Sequence, residues 1–122
     1  MNTTNVLQVS VSQQHWAKPM EQLLSLTLDH IAVAAGQGSD IVLFPETNLT
    51  GYDFPALLQL DPARVEAALD KAREAARERG IYVICGTLQR RGHQEKLLNL
   101  AHVIDPRGEI VHEYAKVQME IV

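Results

Sequence analysis

The run Ile41-Val42-Leu43-Phe44-Pro45-Glu46 limits what this chain can fold into more than any other stretch. Four consecutive apolar residues bounded by turn formers read as a strand buried on both faces, because a strand with one wet face would alternate apolar and polar residues. Pro45 has no N–H to give to a ladder, so regular pairing stops there. Glu46 is thereby left at the carboxyl end of the strand, where open α/β sheets gather their reactive groups. The polar loop Thr47-Asn48-Leu49-Thr50-Gly51-Tyr52 follows.

The elements on either side follow from periodicity. Val6 to Val11 predicts a first strand, half or more buried. Pro19 suits a first helical position, and Met20, Leu23, Leu24, Leu28, Ile31, Ala34 and Ala35 recur on one helical face until Gly36 and Gly38. Past the strand of Glu46, residues 47–60 form a stretch long enough to cover a pocket. Asp61-Pro62 is a helix start with the carboxylate as N-cap. Val65, Ala68, Leu69, Ala72 and Ala76 form the apolar stripe of that second helix, and Gly80 closes it. Ile81 to Thr87 is a further apolar strand. Strand, helix, strand, helix, strand is the order of parallel strands joined by right-handed crossovers. After a charged turn from Arg90 to Lys96, two strands, Leu98–Ile104 and Glu109–Tyr114, flank Asp105-Pro106-Arg107-Gly108, which fits a type I turn between antiparallel partners.

Glu46 at a strand end is compatible with catalysis, and equally with a carboxylate capping a turn through Thr47 or Asn48. Lys116 just after the last predicted strand, two residues beyond Tyr114, is the second candidate; alone it reads as a solvated lysine. With 122 residues, 46% hydrophobic and 21% charged, the chain has the composition of one globular domain rather than of a disordered segment. Its net charge of -4 gives no basic face for nucleic acid or an anionic membrane. The N-terminus has no basic region followed by an apolar segment, and no run approaches a membrane span, so a cytoplasmic location is expected. The single cysteine, Cys85, excludes an internal disulfide and a multi-thiolate metal site. His102 and His112 stand on the two strands of the hairpin and could approach one another, but no third ligand has suitable spacing, so neither a metal nor another cofactor is expected.

Phe44-Pro45-Glu46 with Leu49-Thr50-Gly51-Tyr52 resembles the first signature of the carbon-nitrogen hydrolase, or nitrilase, superfamily. Asn99 to Val103, Asp105-Pro106-Arg107-Gly108-Glu109 and Tyr114-Ala115-Lys116 are similar to its second. The resemblance implies an α/β fold corresponding to the N-terminal part of an αββα sandwich, present as one incomplete domain over residues 1–122. It implies hydrolysis of a small amide or nitrile, with Glu46 as general base, Lys116 as stabiliser of the oxyanion and Tyr52 close to the substrate. In that family a cysteine after the lysine is the nucleophile. Cys85 precedes Lys116 inside an apolar strand and is expected to be an inert core thiol. Where the family continues His-Leu after the lysine, Gln118-Met119 stand here. The expectation is therefore a chain that supplies Glu and Lys but lacks the nucleophile, inactive alone and prone to self-association through uncovered sheet. The alternative is a small non-catalytic α/β binding module or degenerate family member in which Glu46 caps a turn.

Overall fold

The computed structural model of the chain describes residues 5–15, 18–52, 60–91 and 96–116, with the backbone only for residues 91 and 96. Seven elements appear in the order β1 (Val9–Val11), α1 (Met20–Gly36), β2 (Ile41–Leu43), α2 (Pro62–Arg79), β3 (Tyr82–Arg91), β4 (Lys96–Ile104) and β5 (Ile110–Ala115). They build one five-stranded sheet in the order β1-β2-β3-β4-β5, parallel from β1 to β3 and antiparallel from β3 to β5.

Both helices obey their sequence signals. Asp61 caps α2 by accepting from Ala63 N at 3.0 Å, and Gly80 takes the left-handed conformation that ends it, at φ 64°. Pro19 is the N-cap of α1 rather than its first residue. Its far end closes with two bonds, Gly38 N to Ala35 O at 3.1 Å and Ser39 N to Ala34 O at 3.0 Å, which satisfy carbonyls the helix would leave open. At the hairpin, Gly108 N donates to Asp105 O at 2.9 Å while Asp105 Oδ1 accepts from Arg107 N and Glu109 N. The expected turn is formed.

α1 and α2 lie on one face of the sheet. Ile31 and Ala34 of α1 and Leu69, Ala72 and Ala76 of α2 belong to one buried cluster with Val42, Phe44, Val83, Cys85 and Ile104. Each large apolar side chain fully buried there contributes roughly 1.5–3 kcal/mol. The other face differs from expectation. Val9 and Val11 are 51% and 68% exposed, Leu43 38% and Tyr82 40%, so neither β1 nor β2 is buried on both faces. The register explains why: Val9, Ile41 and Tyr82 stand side by side, as do Val11, Leu43 and Ile84, all pointing away from the helices. Apolar residues are present on both faces, but among the described residues only one face has a layer upon it.

β1 is three residues long instead of the six predicted, whereas β3 runs on to Arg91 because β4 pairs with it along its whole length. Residues 92–95 of the charged turn and 53–59 of the stretch after Tyr52 lie outside the described residues, as do Gln118 and Met119. Among the described residues no helix is long and apolar enough to cross a membrane.

Candidate active site

The strand order leaves room for a turn where β2 stops. Phe44 N still donates to Ile84 O at 2.9 Å, Pro45 then interrupts the ladder, and residues 46–51 fold back upon themselves with Gly51 N donating to Thr47 O at 2.8 Å. β3 continues past this point, and its backbone groups would have no partner on that side. The turn supplies them. Gly86 N donates to Asn48 Oδ1 at 2.7 Å, Leu49 N donates to Gly86 O at 3.0 Å, and Leu88 N donates to Thr50 Oγ1 at 3.0 Å. Asn48 Nδ2 also donates to Thr27 Oγ1 at 2.9 Å, tying the turn to α1. Thr47, Asn48, Leu49 and Thr50 are all buried, so a loop polar in sequence is part of the interior.

This close docking explains two backbone features beside Glu46. Thr47 holds φ 57°, which is left-handed and uncommon for a β-branched residue. Gly86 lies so near that a Cβ on it would come within 2.5 Å of Thr47 N. Only glycine lets the turn approach the strand in this way.

Glu46 projects from the turn, and Lys116 Nζ donates to its Oε1 at 2.9 Å. The two side chains stay 51% and 40% exposed. A third residue reaches the same oxygen: Asn99 Nδ2 donates to Glu46 Oε1. Asn99 lies within β4 and is only 5% exposed; sequence reasoning did not single it out as a site residue, because neither its burial nor its place beside Glu46 is written in neighbouring residues. A cavity of about 240 Å³ adjoins these groups, walled by Leu43, Phe44, Ile84, Ala101 and Tyr114 on the uncovered side of the sheet. Polar groups are therefore concentrated at one end of an apolar recess, the usual build of a small-molecule site.

The other candidates are placed differently. Tyr52 is half-buried and does not line this cavity. Cys85 is among the residues lining the cavity, yet it is only 2% exposed and belongs to the helix-covered core, and burial pushes its thiol up to about 12. His102 and His112 do not meet: His102 stands opposite Glu113 and His112 opposite Val103, so the two imidazoles leave opposite faces. His102 is fully buried, with Nε2 2.8 Å from Thr87 Oγ1 and Nδ1 2.9 Å from Glu113 Oε2. No group of three metal-ligating side chains exists among the described residues.

The carbon-nitrogen hydrolase family model matches residues 8–120. The chain belongs to that family. Within it, the chain is 24% identical over 117 residues to the 2-oxoglutaramate amidase of Bacillus subtilis, covering 96% of this chain and 43% of that protein. It is 29% identical over 93 residues to a nitrilase of Pyrococcus abyssi, covering 73% and 34%. The amidase from Nesterenkonia sp. AN1 superposes with a TM-score of 0.85 at 30% identity, covering 96% of this chain and 46% of the amidase. The carbon-nitrogen hydrolase chain described here thus spans less than half the length of the relatives it matches.

Proposed function

We propose that this chain supplies the base and the oxyanion-stabilising cation of a carbon–nitrogen hydrolase acting on a small amide or nitrile. The observation that carries the reading is the 2.9 Å contact between Lys116 Nζ and Glu46 Oε1 at the mouth of an apolar recess. For an amide, a cysteine thiol gives its proton to Glu46 as sulfur bonds to the carbonyl carbon, and the carbonyl oxygen becomes an oxyanion. The ammonium of Lys116 stabilises that oxygen. Electrostatic help of this kind from one preorganised donor is worth about 3–4 kcal/mol. Glu46 then returns the proton to the departing amine, leaving a thioester. It next takes a proton from water, whose oxygen attacks the thioester; the C–S bond breaks, Glu46 passes that proton to the departing sulfur, and the thiol is regenerated as the acid leaves.

Cys85 does not suit the nucleophile's part, since a buried thiol with its pKa pushed up to about 12 carries almost no thiolate near neutrality. The chain by itself is therefore not expected to turn over, and a cysteine outside these residues completes the site. The uncovered apolar face, which carries the cavity, is expected to self-associate when nothing else covers it. Tyr52 does not line the cavity, and its part in contacting the substrate or orienting Glu46 rests on the family resemblance. A mutant of the Nesterenkonia amidase forms a complex with butyramide, which makes aliphatic amides the natural first substrates to try. Hydrolysis by a hybrid of that amidase carrying this chain, with and without Glu46 and Lys116, tests the assignment.

A further inference from the structure

Asn99 makes two bonds that converge on the residues assigned above. Its Nδ2 donates to Glu46 Oε1, the oxygen Lys116 also holds, and its backbone carbonyl accepts from Lys116 N at 2.9 Å. The second bond carries the β4–β5 ladder one step beyond the Leu100–Ala115 pair. Asn99 and Lys116 consequently stand opposite one another, and side chains so placed leave the same face about 5 Å apart at Cβ. Asn99 is only 5% exposed, whereas the charged pair is half in water. The fixed member of the trio is the amide.

We propose that Asn99 is a positioning residue that selects which oxygen of Glu46 acts as the base; the inference rests on the hydrolase reading for its use, though not for its geometry. Two donors converge on Oε1, and among the described residues no hydrogen bond or ion pair reaches Oε2. A proton entering at Oε1 would have to displace the charge-assisted bond from the buried Asn99 amide, worth roughly 1.5–3 kcal/mol, as well as the weaker exposed one from Lys116. It enters at Oε2. Lys116 alone would not make this choice, because a half-exposed ion pair is worth only about 0–1 kcal/mol and its long side chain can follow either oxygen. The lysine must also turn towards the oxyanion when the tetrahedral intermediate forms. Asn99 is the bond that remains on Glu46 at that moment. An aspartate in its place would compete for Lys116 and repel Glu46; an apolar residue would offer no donor.

The test is NMR of the isotope-labelled chain. One Asn99 Nδ2 proton should exchange with solvent at least about tenfold more slowly than an exposed side-chain amide, the factor implied by a charge-assisted bond. The protection should vanish in Glu46→Ala and survive in Lys116→Met. In Asn99→Ala, with amide protection across Leu100 and Ala115 retained, the side-chain couplings of Glu46 should show averaging over several rotamers, while Lys116→Met keeps one. An Asn99 amide exchanging freely in the native chain, or a single Glu46 rotamer in Asn99→Ala, would overturn the proposal. Should Asn99→Ala fail to fold, the Glu46→Ala spectrum decides alone, since Asn99 is intact there. None of these signals requires turnover. A protected amide combined with hydrolysis by the amidase hybrid that is indifferent to Glu46→Gln would remove the hydrolase reading and leave the placement; free exchange combined with hybrid hydrolysis lost in Glu46→Gln would do the reverse.

Discussion

Lys116 and Glu46 meet at 2.9 Å, yet the pair lies on the surface of the fold rather than in its core. Exposed ion pairs add little to stability. Lys116→Met and Glu46→Gln should accordingly move the denaturant midpoint by less than about 1 kcal/mol of stability. A larger loss in urea titration would show the pair to be a structural clamp.

The approach of Thr47 to Gly86 makes a different prediction. Gly86→Ala forces a Cβ to within 2.5 Å of a backbone nitrogen in a turn held by Asn48 and Thr50. Relief requires the turn to shift, at a cost of about 1–3 kcal/mol. Glu46 should move with it, so the slow exchange of the Asn99 amide is also lost. Gly36→Ala is the control: nothing lies within 4 Å of its Cβ, and at the end of a helix alanine should be neutral or stabilising.

Asn48 bridges Thr27 and Gly86 from a position only 4% exposed. Asn48→Ala leaves Gly86 N without its acceptor, which should cost about 1–3 kcal/mol in thermal or chemical unfolding. Asn48→Asp keeps the acceptor for Gly86 while losing the donor to Thr27, and should fall between the two.

Cys85 gives a pH signature. Its thiol is pushed up to about 12 when folded, while in the unfolded chain it ionises in the ordinary range near 8.5. Between these values the unfolded state binds fewer protons, so stability falls as pH rises. The contribution is complete below about pH 8.5 and is lost through the alkaline range, with a slope of up to about 1.4 kcal/mol per pH unit. Cys85→Ala should lack this slope while the other alkaline groups still contribute theirs. Fluoroacetamide should leave Cys85 unmodified in the folded chain and alkylate it after denaturation, as mass spectrometry can read.

Much of this fold is legible in the sequence. The caps Asp61 and Gly80, the stripe of α2 and the 105–108 turn each have a local cause, and local causes are written in neighbouring residues. The open face of β1 and β2 could not be read. An apolar run states that a strand wants two covered faces, and not whether the covering polypeptide is present. The site shows the same division. Glu46 and Lys116 were visible as residue types at element ends, whereas Asn99 became significant only when β4 was paired with β5 in a register that sets it opposite Lys116. The histidines show how one residue of register decides an outcome: His102 faces Glu113, and His112 is turned the other way.

The uncovered face leads to a further expectation. Val9, Val11, Leu43 and Tyr82 form a contiguous apolar surface, and the chain should associate in sedimentation at micromolar concentration. Val11→Lys with Tyr82→Lys should shift it towards monomer without disturbing the helix-covered core. A chain that is monomeric at all concentrations would contradict this.

The most direct measurement is hydrolysis of butyramide by a hybrid in which this chain replaces the matched 46% of the Nesterenkonia amidase, which retains its own active-site cysteine. The account predicts turnover by the hybrid and a loss of at least about 100-fold in kcat for both Glu46→Gln and Lys116→Met. Hydrolysis by either substituted hybrid at a rate close to that of the unsubstituted one would contradict it.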